Sequence, residues 1–150
     1  MPAVRRNALV PYTTEQMFDL VNDVESYPEF LPWCEGCRII SHRGDEIRAR
    51  LDLAKGGIRK AFTTSNRVQP GKMIEIRLVE GPFRLLEGFW RFDQVGERRT
   101  RVSLDLEFEF SNRLAHLAFG PVFHQIANSL VEAFCKRAHE VYGRYRNDPG

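Results

Sequence analysis

Trp33-Cys34-Glu35-Gly36-Cys37 is the strongest chemical signal in the chain, two thiols separated by two residues. A dithiol of that spacing exchanges disulfides when its first cysteine opens a helix directly after a strand, because the helix N-terminus stabilises the thiolate. Here Pro32-Trp33 precedes it and the β-like run Arg38-Ile39-Ile40 follows. The expectation is a pair of thiols in a loop leading into a strand, without a redox role. Cys135 and His139 are four residues apart, so on a helix they would share one side and offer, with the loop pair, four ligands of the type zinc takes. A helical wheel puts both on the polar side, away from the stripe that must face the core, so no metal is expected. His42, His116, His124 and His139 are scattered, with no nucleophile elbow, glycine-rich phosphate loop or dinucleotide fingerprint nearby. The residues therefore give no catalytic set and call for no catalytic cofactor.

Two other groups of residues suggest binding. The chain holds eleven phenylalanines and two tryptophans. Most must be plain core, but a subset lining an apolar pocket would suit a quinone or a prenyl chain. Arg48, Arg50, Arg59, Lys60, Arg67, Arg98, Arg99 and Arg101 would form a positive sheet face or rim able to meet ribosomal RNA or anionic lipid. Asp52, Glu75, Asp105, Glu107 and Glu109 interrupt that face, as in an ordinary solvated surface of mixed charge.

The elements that must position these residues are legible from periodicity. Ala3 to Val10 reads as a strand closed by Pro11. Thr13 and Gln16 have the spacing of a capping box, and Met17, Phe18, Leu20, Val21 and Val24 follow at helical intervals. This helix should end before Tyr27-Pro28, leaving Pro28 to Pro32 for a turn or a single short helical turn. From Arg38 to Phe110, turn signals recur about every 12 residues, as in hairpin-linked antiparallel strands. Ile47, Ala49, Leu51 and Leu53 alternate with Arg48, Arg50 and Asp52; Val102, Leu104, Leu106, Phe108 and Phe110 alternate with polar residues in the same way. One face of the sheet is thus apolar and the other wet. Asn112 to Phe119 reads as a short amphipathic piece broken by Gly120-Pro121. A long helix then carries Phe123, Ile126, Ala127, Leu130, Phe134, Ala138 and Val141 on one stripe and stops near Gly143, before a loose tail from Arg144 to Gly150. The fold class is α+β, a helix-grip in which a curved antiparallel sheet wraps around a long C-terminal helix.

Composition supports one soluble domain over residues 1–150, with a core near 3–143. The chain is 43% hydrophobic and 28% charged, with a net charge of +2. That is too small a charge for a dedicated nucleic-acid binder, and no DNA partner is expected. Three cysteines, an odd number, argue against a secreted disulfide framework. No apolar run approaches a membrane span, and no signal peptide is visible, so a cytoplasmic location is expected, with peripheral contact to the inner membrane as an option.

The run Tyr27-Pro28-Glu29-Phe30-Leu31-Pro32-Trp33-Cys34, preceded by Leu20 to Ser26, resembles the N-terminal block of the coenzyme Q-binding START-like family. Gly81-Pro82-Phe83, Gly88-Phe89-Trp90-Arg91-Phe92 and Gly120-Pro121-Val122-Phe123 with Ile126-Ala127 and Leu130 to Phe134 extend the likeness over nearly the whole chain. The resemblance implies a helix-grip fold with a hydrophobic cavity. Its ligand would be ubiquinone or a related polyisoprenoid, in support of respiratory electron transfer or quinone biosynthesis. On that reading Phe123, Ile126, Leu130 and Phe134 form the helix wall. Phe30 and Trp33 form the entrance, and Leu86, Trp90 and Phe92 are the sheet contacts. Each buried prenyl CH₂ would contribute about 0.8 kcal/mol, so the tail would dominate affinity. The same family includes bacterial ribosome-association toxins. The resemblance therefore implies, as the alternative, binding to the large ribosomal subunit that blocks subunit joining, through Arg48, Arg50 and Arg59. Kinship with polyketide cyclases gives a third and weaker reading, a cyclase.

Overall fold

The computed structural model describes residues 3–146. Strand β1 (Ala3–Val10) leads into helix α1 (Thr14–Asn22) and a 3₁₀ turn (Val24–Glu29). Six strands follow: β2 (Cys34–Arg43), β3 (Glu46–Lys55), β4 (Ile58–Gln69), β5 (Met73–Glu80), β6 (Phe83–Gly96) and β7 (Arg99–Phe110). Helix α2 (Arg113–Arg146) completes the chain. The strands form one antiparallel sheet in the order β1-β7-β6-β5-β4-β3-β2. The sheet curves around α2, which gives the helix-grip arrangement.

Local chemistry sets the ends of these elements. The Thr13 hydroxyl accepts from the Gln16 amide at 3.1 Å, while Gln16 Oε1 accepts from the Thr13 amide at 2.9 Å, so two orphan donors of α1 are satisfied reciprocally. Helix α1 ends at Asn22, and Tyr27-Pro28 falls inside the 3₁₀ turn. The α-helix thus stops before Tyr27-Pro28, as expected, and the short helical turn begins earlier than Pro28, at Val24. The alternation in β3 and β7 places Ile47, Ala49, Leu53, Val102, Leu104, Leu106 and Phe108 in the core.

Two expectations for the C-terminus are corrected. Gly120-Pro121 does not break the helix; α2 runs through both residues. Asn112 starts it, with its side chain accepting from the Ala115 amide at 2.8 Å. Pro121 costs one intrahelical bond, to the Leu117 carbonyl, but Leu117 is exposed and water can serve that group. Phe119 and Gly120 on one side of Pro121 and Phe123 on the other are buried and hold the two parts in line. The helix also continues past Gly143 to Arg146, where the sequence suggested a tail; residues 147–150 lie outside the described residues. At 34 residues, α2 is about 51 Å long.

The backbone of α2 runs closest to β1, β7 and α1. Over β3, β4 and β5 the helix reaches the sheet through side chains. Gly88 lets the sheet bend between these two regions. A Cβ there would lie 2.0 Å from the Asp105 carbonyl oxygen of β7, closer than any side chain tolerates.

Candidate ligand cavity and basic face

Beneath α2, on the β3–β5 side, the side chains leave a cavity of about 90 Å³. Phe123, Ile126, Ala127, Leu130 and Phe134 of α2 form its roof. Leu51 and Leu53 of β3, Phe62, Thr64 and Asn66 of β4, Ile76 of β5, Leu86 and Trp90 of β6 and Leu106 of β7 form its floor. Val24, Tyr27 and Trp33 close one end. No Asp, Glu, His, Lys or Arg is among these residues. The polar groups present are few: the Thr64 hydroxyl donates to Asn66 Oδ1 at 3.0 Å, and the Tyr27 hydroxyl donates to the Val21 carbonyl. Burial, reinforced by the neighbouring Cys37, pushes the Tyr27 hydroxyl far above its ordinary pKa, so it remains protonated.

Seven of the nine residues expected at a ligand site meet here: Trp33, Leu86, Trp90, Phe123, Ile126, Leu130 and Phe134. Two do not. Phe92 is displaced by register: it lies opposite Val102 and its ring meets Phe18 of α1 at 5.9 Å, at the other end of the core. Phe30 stands behind the wall, edge-on to Phe134 at 5.3 Å and capped by the Arg137 guanidinium at 5.0 Å from its ring. The sequence reading missed Thr64 and Asn66. Their signal was available: Phe62, Thr64 and Asn66 alternate in step with inward-facing Leu51, Ala49 and Ile47, so two polar residues occupy inward positions.

The dithiol opens β2 rather than a helix. Cys34 lies opposite Leu53 and Cys37 opposite Leu51. Burial pushes their pKa values up to about 11 and about 12, the opposite of what a thiol nucleophile needs. Cys135 is half-buried and its thiol is also pushed up by burial, while His139 is exposed and its Nδ1 lies 2.7 Å from the Tyr12 hydroxyl. No group of three or more potential metal ligands occurs among the described residues.

The basic face lies on the outer side of β2, β3 and β4. Residues 38–67 contain eight Lys or Arg against three Asp or Glu, an excess of five, whereas the whole chain has an excess of two. Arg48, Arg50 and Arg59 are all exposed there, and each is paired: Arg48 with Glu46 at 3.2 Å, Arg50 with Asp52 at 3.1 Å and Arg59 with Glu35 at 3.2 Å. Arg38 lies directly across from Arg50 on the neighbouring strand. Arg38 is exposed and makes no ion pair among the described residues; Lys60, also exposed, lies across from buried Leu53 and so belongs to the edge of the inner side.

A family model described as polyketide cyclase / dehydrase and lipid transport matches residues 10–135. The chain belongs to this family. Within it, the chain is 48% identical over 142 residues to the ribosome association toxin RatA of Escherichia coli, covering 95% of this chain and 90% of that one. It is 32% identical to coenzyme Q-binding protein COQ10 homolog B, mitochondrial, of Xenopus laevis, covering 89% of this chain and 56% of that protein. Among solved structures, the Zhui aromatase/cyclase from Streptomyces superposes with a TM-score of 0.84 at 19% identity, over 99% of this chain and 98% of the other. A START superfamily protein from Mycobacterium smegmatis superposes with a TM-score of 0.72 at 26% identity, over 96% and 97%. At 19% identity the cyclase likeness is one of fold. In this chain the family's curved sheet and long helix enclose a cavity without charged groups, and among the described residues no helix is long and apolar enough to cross a membrane.

Proposed function

We propose that this chain associates with the ribosome, at the large subunit, and thereby hinders subunit joining. The observation that carries this is the 48% identity, across almost the full length of both chains, to a protein named for ribosome association. The charge excess of residues 38–67 supports it, because a concentrated basic surface binds RNA phosphates and steers encounter. This reverses the order of the sequence reading, in which quinone binding led. The test is co-sedimentation with purified ribosomal subunits. The wild-type chain should travel with the large subunit and be released as salt rises. Arg48→Glu, Arg50→Glu and Arg59→Glu together should abolish this. Those three are already balanced by Glu46, Asp52 and Glu35, so Arg38→Glu with Arg43→Glu, two exposed residues on the same outer side, is the more sensitive second variant. Binding unchanged in both variants excludes this face.

A second reading is favoured by the cavity. It takes an apolar ligand of the quinone or polyisoprenoid type, a reading supported by the 32% identity to a coenzyme Q-binding protein and by the apolar lining. The lining offers no general acid or base that titrates near neutrality, which favours binding over a cyclase reaction. Leu130 is half-buried in the roof, so Leu130→Glu should fold and lose at least tenfold in affinity for a short-chain quinone. An unchanged affinity would place the ligand elsewhere.

A further inference from the structure

Trp90 is 4% exposed and Trp33 is 8% exposed, and both line the cavity. Among the described residues, neither indole N–H has a hydrogen-bond acceptor. Yet among the described residues no fully occluded side-chain nitrogen or oxygen is without a partner. Each N–H must therefore face space that a water-sized body can enter. Both rings line the cavity, and Trp90 is paired between Ile74 of β5 and Leu104 of β7 and roofed by Phe134 at 5.2 Å, so the cavity is the space at hand for these N–H groups. A third donor stands on the floor. Asn66 Oδ1 is occupied by the Thr64 hydroxyl, which leaves the amide NH₂ of Asn66 to offer. The cavity thus presents donors, few open acceptors and no charge.

We propose that Trp90, with Trp33 and Asn66, makes this cavity selective for a neutral hydrogen-bond acceptor, a carbonyl or ester oxygen carried on an apolar body. The proposal rests on the ligand-binding reading above and adds what its site recognises. A pure hydrocarbon would displace water from the three donors and leave them bare, at the cost of an unmade bond for each. A carboxylate would lose its hydration with no cation to meet it. A carbonyl oxygen accepts two hydrogen bonds and brings no charge. The cavity is smaller than the roughly 150 Å³ apolar cavity that takes up benzene. The slender acceptor-bearing end therefore enters first, and any bulk behind it needs the α2 side chains to move aside.

The test uses the full chain with a neutral apolar fluorophore, N-phenyl-1-naphthylamine, displaced by three probes of similar shape: heptyl phenyl ketone, octylbenzene and 8-phenyloctanoate. The ketone should bind about tenfold more tightly than the other two, the difference one hydrogen bond makes in a dry site. Trp90→Phe should erase that preference, lowering ketone affinity about tenfold more than octylbenzene affinity, a pattern that mere loss of packing would not give. Should Trp90→Phe fail to fold, Asn66→Asp keeps the acceptor for Thr64, removes the donors and should weaken the ketone selectively. Octylbenzene bound as tightly as the ketone would overturn the selectivity and leave the cavity reading standing. Failure of the dye and all three probes to bind would overturn both.

Discussion

The two ends of the space under α2 are built from similar residues and end up in different states. Around the helix start, Phe83, Phe108, Phe110, Phe119 and Phe123 meet in a continuous series of ring contacts, with centroids 4.9–6.2 Å apart. Edge-to-face rings fill space efficiently, and this end is closed. About three turns beyond Phe123, Trp90 and Phe134 meet in the same way, but the floor facing them carries Leu51, Thr64 and Asn66 with Phe62 as the one ring of β4, and a void remains. Phe123 belongs to both regions. The difference follows from the floor: where β4 supplies Thr64 and Asn66 in place of large apolar side chains, the helix has nothing to close against.

Truncation should separate the two ends most sharply. Phe119 is fully buried, so Phe119→Ala should cost about 3–5 kcal/mol in urea unfolding. Leu130 borders an existing void and is half-buried, so Leu130→Ala should cost only about 1–2 kcal/mol. Equal losses would mean that the cavity is as tightly packed as the aromatic end.

A smaller effect should appear with pH on the cavity side. Cys34 and Cys37, on the strand beside the cavity floor, lose their protons at about 11 and about 12 in the folded chain, against an ordinary value of 9. The unfolded chain releases these protons first. Their contribution to stability is therefore complete below pH 9 and is lost as pH rises from 9 towards 12. The urea midpoint of the wild type should fall over this range more steeply than that of Cys34→Ala with Cys37→Ala. Parallel curves would show that the thiols are not held protonated by the fold. At about pH 8 the same pair should react with iodoacetamide more slowly than an unburied thiol.

The sequence carried the strand alternation, the capping box and the roof of the cavity, because each is a local pattern repeated over several residues. Ile126, Leu130 and Phe134 share a helical stripe, and a stripe needs no knowledge of its partner. Phe92 was misplaced for the opposite reason. It alternates in phase with Leu86 and Trp90, so periodicity gives it the correct face, but only register and the approach of α1 decide which end of that face it occupies. Phe30, expected at the entrance, sits beside Phe134 and outside the lining, a placement that only the packing of the 3₁₀ turn against α2 decides. The basic residues were legible as charges, whereas their pairing with Glu46, Asp52 and Glu35 depends on neighbours within and across strands. Gly88 looked like part of a motif, and its physical role emerges only where β7 passes within 2.0 Å of the Cβ it lacks.

Pro121 gives the long helix an uneven cooperativity. One rung of its hydrogen-bond ladder is absent between Leu117 and Pro121, and the segment before it exposes Leu114 and Leu117 while burying only Phe119 and Gly120. The segment after it is anchored by Phe123, Ile126, Val131, Phe134 and Ala138. Opening of the first segment needs few buried contacts to break and is not transmitted through the missing rung. Amide protons from Leu114 to Ala118 should therefore exchange with solvent through local fraying, while those beyond Phe123 should exchange only when the whole domain unfolds.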